Sequence, residues 1–276
     1  MTKSSRKTVV KRLKLTLAYD GTDFCGWQFQ PNLRTVQGEL EKAISHITGF
    51  PVRVHGSGRT DSGVHARGQI VHLDLPDNRT SVPWQKSLNS LLPDDVTVLD
   101  CAYVSGDFHS RFSTVRKRYS YSIWVENDFC FPWRRKYVWK CGSLDLDAMD
   151  QAMKMFLGMH DFASFQNMGT EVNSTVRNVL EFSRRPGETP HEIKLDVCGT
   201  GFLKQMVRNM VGCLVKIGRG KEKPEFVRSL LQMKDRTMAP ATAPARGLCL
   251  ERVYYGESDC GGSDTGRNQS HQSGRD

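Results

Sequence analysis

The residues best suited to chemistry lie in one short loop, Gly56-Ser57-Gly58-Arg59-Thr60-Asp61-Ser62-Gly63, which runs on into Val64-His65-Ala66. Its glycines invite a phosphate-loop reading, and that reading fails. From Gly58 a four-residue spacer reaches Gly63, yet Val64-His65 stands where a P-loop needs Lys and then Ser or Thr. The dinucleotide fingerprint fails too, because Asp61 takes the third glycine position after Gly56 and Gly58, and a carboxylate there repels phosphate. No Gly-x-Ser-x-Gly elbow marks a serine hydrolase. His65 and His72 suit hydrogen-bonding or core roles better than a metal site. What remains is a carboxylate presented on a glycine-rich loop. Glycines allow close backbone approach, and loops held between strands often carry catalytic groups. An ordinary aspartate is ionised at neutral pH. Arg59, two residues from Asp61, faces the same ligand if the segment is extended. From spacing alone, an Asx-turn in which Asp61 only caps backbone amides fits better.

The elements that must hold this loop are readable on both sides of it. Leu13, Leu15, Leu17 and Tyr19 alternate with polar residues as a half-buried strand, closed by Asp20-Gly21-Thr22. Thr35 is a candidate N-cap for a helix with Val36, Leu40, Ala43, Ile44 and Ile47 on one stripe, ending at Gly49. Val52 and Val54 begin a short strand before the loop, and Gln69 to Leu75 forms another after it. A helix near Pro83–Leu91 and a strand near Val96–Leu99 close the first half. The second half repeats the grammar. Tyr119, Tyr121, Ile123 and Val125 alternate as a strand, and a helix follows near Leu146–Leu157. Paired strands, Val179–Ser183 and Ile193–Val197, flank the turn Arg185-Pro186-Gly187. Phe202, Met206, Val207, Met210, Val211, Leu214 and Val215 then make a broad apolar helix face. A helix near Pro224–Met233 and a strand near Leu248–Tyr255 complete the pattern. This is an α+β chain with helices on one sheet face. Its expected divisions are 1–110, 111–256 and a polar tail, 257–276, that reads as disordered.

The totals narrow the partners. A chain of 276 residues buries a core without disulfides or metals, and its formal +9 charge favours a polyanion. Lys3, Arg6, Lys7, Lys11, Arg12 and Lys14 all precede the first acid, Asp20. Arg116-Lys117-Arg118 and Arg134-Arg135-Lys136 are flanked by Tyr119, Tyr121, Trp133 and Tyr137, and such interleaving of cations with rings suits RNA. The eight cysteines show no C-x-x-C pair, which points to free thiols in a reducing compartment. No apolar run reaches the ~20 residues of a membrane span, and no secretory signal is visible, so a cytoplasmic location is expected.

Several separated strings then resemble one family, the tRNA pseudouridine synthase A (TruA) family, over roughly residues 13 to 255. They are Tyr19-Asp20-Gly21-Thr22 with Gly26-Trp27-Gln28 and Pro31, and Arg34-Thr35-Val36-Gln37-Gly38-Glu39-Leu40. The Gly58–Ala66 run follows, then Leu92-Pro93-Asp94-Asp95, Phe108-His109-Ser110-Arg111-Phe112 and Arg118-Tyr119-Ser120-Tyr121. His160-Asp161-Phe162 with Phe165, Gly201-Phe202-Leu203 through Met206–Gly212, and Thr242-Ala243-Pro244 with Gly247-Leu248 complete the set. Any one string is weak, and the ordered set is specific. Cys25 stands where relatives often carry an aromatic, Ser62 replaces a common alanine, and the tail beyond Gly256 has no clear counterpart.

The resemblance implies isomerisation of uridine to pseudouridine in tRNA, at positions 38, 39 and 40 of the anticodon stem-loop, with neither metal nor organic cofactor. Asp61 matches the family aspartate, acting as nucleophile or as the base of a glycal route. Tyr119 matches the tyrosine that stacks on the uracil and helps remove the C5 proton, and Arg59 the arginine that fills the flipped nucleotide's space. Arg208 matches the arginine that pairs with the aspartate, and a charge-assisted bond of roughly 1.5–3 kcal/mol would orient it. The implied fold is two related RRM-like or ferredoxin-like α/β halves sharing one extended antiparallel sheet, with the active cleft between them. The implied assembly is a homodimer. A non-catalytic RNA-binding module and an RNA glycosidase are the rival readings; the first lacks its aromatic RNP1 string, and the second would release the base.

Overall fold

The structure, a computed structural model, describes residues 10–76 and 79–256. Alternation builds its first strand, β1 (Val10–Tyr19): Leu13, Leu15, Leu17 and Tyr19 are buried, and Arg12, Lys14 and Thr16 take the opposite face. Helix α1 (Val36–Thr48) starts where Thr35 Oγ1 accepts the Gly38 amide at 3.2 Å, and it stops at Gly49. The chain continues through β2 (His55–Gly56), β3 (His65–Pro76), α2 (Trp84–Asn89) and β4 (Val96–Val104). After a connector over 105–115 come β5 (Arg116–Trp124), β6 (Trp139–Lys140), α3 (Leu146–Lys154), β7 (Gly158–Asp161), β8 (Val176–Pro186) and β9 (Glu192–Gly199). Then α4 (Met206–Gly218), α5 (Phe226–Met233) and β10 (Leu248–Tyr254) complete the described residues.

Two units of the same topology emerge from the pairing. In the first, β1-α1-β2-β3-α2-β4 gives the sheet order β4-β1-β3-β2; in the second, β5-α3-β8-β9-α4-β10 gives β10-β5-β9-β8. Both are the β-α-β-β-α-β arrangement of ferredoxin-like folds. The units differ in their second strand. β2 is so short that it pairs only with Val71 and His72 of β3. The other end of β3 would keep open backbone groups, a cost that sheets avoid. There β10 takes over: Cys249 and Leu250 pair in parallel with His65 and Ala66, while the other edge of β10 runs antiparallel along β5. One ten-stranded, mostly antiparallel sheet therefore passes through both units.

The helices of both units lie on one face of that sheet. Ile44, Trp84 and Leu88 pack on Leu15, Leu17 and Leu73, and Met149, Met210, Leu214 and Leu230 pack on Tyr121, Ile123 and Leu195. Tyr119 touches both cores.

Some elements begin or end elsewhere than the pattern suggests. Val52 and Val54 precede the pairing of β2 rather than belonging to it. The broad apolar helix starts at Met206, and Phe202 sits in its extended lead-in. Lys3, Arg6 and Lys7 of the basic arm and the tail 257–276 lie outside the described residues. No helix among the described residues is long and apolar enough to cross a membrane.

Candidate active site

The loop between β2 and β3 is held by its own backbone, its neighbours and one amine. The Ser57 amide donates to the Ile70 carbonyl at 2.8 Å, and Ser57 Oγ donates to Gln69 Oε1 at 2.7 Å. Gln69 Nε2 returns a bond to the Gly58 carbonyl at 2.8 Å. Thr60 turns inward, where its hydroxyl shares a hydrogen bond with the Tyr19 hydroxyl at 2.9 Å. Its carbonyl accepts the Trp27 amide at 3.1 Å. Ser62 Oγ donates to the Phe24 carbonyl at 3.0 Å, and the Val64 amide closes a turn onto the Asp61 carbonyl at 3.1 Å. Gly26 is required beside this loop. It has φ +88°, and a Cβ there would stand 2.8 Å from the Thr60 carbonyl oxygen. With Thr60 buried, the alternating direction of side chains leaves Arg59 and Asp61 to point outward.

Asp61 meets the second unit directly. Arg208 Nη1 donates to Asp61 Oδ2 at 2.9 Å, across 147 positions of sequence. The arginine does not lie on a solvated helix face: its side chain is 14% exposed, against 24% for that of Asp61. A strap over 239–245 fixes it. Arg208 Nε donates to the Ala243 carbonyl at 2.8 Å, and the Ala243 amide returns to the Arg208 carbonyl at 3.2 Å. The next residue, Asn209, is wholly buried; its Oδ1 accepts from Thr242 Oγ1 at 2.7 Å and from Arg236 Nη2 at 3.1 Å. Gly212 lets the helix touch the strap, since a Cβ there would meet the Ala241 carbonyl oxygen at 2.2 Å. The Thr242-Ala243-Pro244 string and the helix string containing Arg208 are two sides of one clamp.

Tyr119 arrives from β5 on the same face. Leu250 of β10 is paired with Ala66 on one side and Tyr119 on the other, so one residue separates the loop's end from the ring. Phe202 packs its edge against that ring, with centroids 5.3 Å apart at 85°. Burial, and then the nearby Asp61 charge, push the Tyr119 phenol well above its ordinary value, so it stays neutral at physiological pH. The structure thus brings Asp61, Arg208 and Tyr119 together between the two units. Arg59 is adjacent in sequence but turned aside, its Nε donating to Gln28 Oε1 at 3.0 Å on an exposed surface. His65 and His72 are hydrogen-bonding residues: His65 Nδ1 accepts the Gly21 amide at 3.0 Å, and His72 Nδ1 lies 2.9 Å from Ser110 Oγ. No group of His, Cys, Asp and Glu among the described residues has the geometry of a metal site.

One residue of a basic cluster supports the loop. The Lys117 amine donates to the Ser57 carbonyl at 2.6 Å, and burial followed by the Arg111 charge lowers its pKa to about 8. In the sequence it belongs to the Arg116-Lys117-Arg118 cluster that suggests phosphate binding. The strand splits that cluster: Lys117 turns to the loop, while Arg118 pairs with Glu181 at 2.6 Å and Arg116 lies 3.8 Å from the same carboxylate. Arg134 is committed as well, to Glu188 and Glu192 at 2.7 Å each. Arg118 and Arg134 therefore each have a carboxylate partner within the fold.

Fold and site describe an α+β protein that carries a carboxylate–arginine pair and an aromatic ring in the cleft between two ferredoxin-like units. Comparison with known proteins gives this class its identity. A family model described as tRNA pseudouridine synthase matches residues 16–113 and 152–256. The tRNA pseudouridine synthase A of Maridesulfovibrio salexigens is 68% identical over 266 residues, covering 96% of this chain and 98% of that one. That of Solidesulfovibrio magneticus is 54% identical, covering 89% and 91%, and that of Geobacillus kaustophilus 43% identical, covering 91% and 97%. The chain belongs to the tRNA pseudouridine synthase family, isomerases that convert uridine to pseudouridine in tRNA.

Proposed function

We propose that this synthase acts on the anticodon stem-loop, at tRNA positions 38, 39 and 40, with Asp61 as its catalytic carboxylate. The observation that carries the assignment is the 2.9 Å contact between Asp61 and Arg208, which joins the two units at one point. In the reaction the N1–C1′ bond breaks, the uracil turns while held, C5 bonds to C1′, the C5 proton leaves and N1 takes one up. Asp61 serves the bond-breaking step, as nucleophile on the sugar or base, or as the base of a glycal route. Arg208 holds the carboxylate in position, and Tyr119, as a neutral ring, stacks on the uracil. Arg59, exposed at the mouth, fills the place of the extruded nucleotide. Flipping costs a few kcal/mol, and stacking on a guanidinium or aromatic plane recovers about 1–3 kcal/mol. The working form is a homodimer in the cytoplasm, in which one subunit grips the tRNA body while the other presents the site.

The test uses tRNA carrying tritium at uridine C5. Tritium released to water while the uracil stays bonded to RNA supports the proposal; free uracil would mean a glycosidase, and no release a binding module. Asp61→Asn is expected to abolish release and leave tRNA affinity largely intact. Substantial residual release would remove Asp61 from the chemistry.

A further inference from the structure

Next to the catalytic loop, the connector between the units carries rings and cations that the reaction above does not use. Buried Ser110 anchors this segment: its hydroxyl donates to the His55 carbonyl at 2.6 Å, and its carbonyl accepts the Tyr255 hydroxyl at 2.6 Å. The following residues leave the core. Phe112 is 77% exposed, yet it is not loosely placed. The Arg111 and Phe112 amides donate to His109 Nδ1 at 3.1 and 3.3 Å, and the His109 and Phe112 ring centroids lie 4.3 Å apart. The Arg111 guanidinium stands 5.7 Å from the Phe112 centroid. His109 also meets His72 at 4.6 Å, and His55 stacks on His72 at 5.0 Å. A cavity of about 380 Å³ opens against these histidines and Arg53.

The charges are asymmetric. Among the described residues Asp74 is the one carboxylate lining the cavity, and Arg12 occupies both its oxygens at 2.7 Å. Arg53 and Arg111 have no ion pair among the described residues. A surface of fixed π faces flanked by unpaired cations matches a nucleobase and its phosphate. A two-fold axis passing through the patch would set arginine against arginine, which disfavours self-association centred here. The connector also adjoins the catalytic loop through the backbone: His55, whose carbonyl accepts from Ser110, leads through Gly56 into it.

We propose that this connector is a nucleotide subsite, in which a base flanking the target uridine stacks on Phe112 while its phosphate meets Arg111. The proposal rests on the RNA-modifying function above and deepens it. Its test compares Phe112→Ala with Phe112→Trp in the full-length protein, using an anticodon stem-loop RNA as probe. In an Asp61→Asn background, Phe112→Ala should weaken binding about tenfold, and Phe112→Trp should restore it to within about twofold. Phe112→Trp emission should also fall on RNA addition by more than that of the five native tryptophans. Unchanged affinity in Phe112→Ala would overturn the subsite. So would a drop in assembly mass accompanying the affinity loss, which would assign the ring to a contact between copies. Because binding is read in an inactive background, failure of the wild-type protein to release tritium would refute the proposed reaction without obscuring this result.

Discussion

Arg208→Met is the most informative single change, because it removes the cation facing Asp61 and keeps much of the aliphatic stem. The pair is neither dry nor freely solvated, with side chains 14% and 24% exposed. Exposed pairs are worth about 0.2–1 kcal/mol and charge-assisted hydrogen bonds about 1.5–3 kcal/mol, so a coupling of roughly 1–2 kcal/mol is expected here. It can be read from thermal unfolding of the wild type, Asp61→Asn, Arg208→Met and the double variant, the cycle that isolates a pairwise interaction. The effect on rate should be larger than on stability. If the full charge-assisted contribution orients the carboxylate in the transition state, losing it slows the chemical step by about 10- to 150-fold. Single-turnover tritium release at saturating enzyme measures that step without interference from product departure. Arg208→Lys keeps the charge but gives up the fork that lets one side chain grip both Asp61 and the Ala243 carbonyl, so it should recover only part of the rate. A single-turnover rate for Arg208→Met within about twofold of wild type, which is under ~0.5 kcal/mol, would refute this reasoning, as would a coupling indistinguishable from zero.

Three further outcomes are expected. Lys117 holds a proton less readily when folded, at about 8 against 10.5 for the ordinary amine, so between those values the unfolded chain binds more protons and stability gains from this group as pH rises. The wild type should therefore gain on Lys117→Met from about pH 8 to about pH 10.5, and parallel melting-temperature profiles for the two proteins would contradict it. Arg59→Ala should change stability by no more than about 0.5 kcal/mol, because its Gln28 contact is exposed, yet slow turnover; normal rates would strip Arg59 of its role. Gly26→Ala should cost about 1–3 kcal/mol in a denaturant titration, through its φ of +88° and the 2.8 Å approach to the Thr60 oxygen; an unchanged midpoint would show that the loop tolerates the shift.

What could be read in advance was what local physics decides. Thr35 and Gly49 bracket α1 because a cap needs only its own neighbours. The alternation of β1 and β5 is equally local, and with it the face on which Tyr119 stands. Asp61 was ambiguous from its spacing and became interpretable through the ordered family strings, which also pointed to Arg208. The partners within the basic clusters were not legible for a physical reason. Composition records the cations of 116–118 and 134, whereas their fate depends on Glu181, Glu188 and Glu192, which lie tens of residues away. Nor could spacing reveal that Lys117 faces a carbonyl 60 positions earlier. Phe202 reads as part of the helix because its apolar period is continuous with Met206. The chain instead enters α4 through Gln205 at φ 61°, and this turn leaves Phe202 against Tyr119.

The location of the site between the units follows from the shortness of one strand. β2 ends at Gly56, where Ser57 and Gly58 bend away to Gln69 and the residues after them become the loop bearing Asp61. The same early ending leaves the first residues of β3 without a partner on that edge, and β10 supplies it. Because β10 belongs to the second unit, its arrival brings β5 alongside, with Leu250 pairing to both Ala66 and Tyr119. Neighbouring strands lie about 4.8 Å apart, so two such steps set Tyr119 about 10 Å from the loop's end, within a side chain's reach of Asp61. Register matters as much as order. A one-residue slip of β5 against β10 would turn Tyr119 to the opposite face, away from Asp61 and Arg208, and expose the apolar row of Tyr121 and Ile123. The buried row therefore enforces the placement of the ring, and the packing that stabilises the second unit also keeps its share of the site in position.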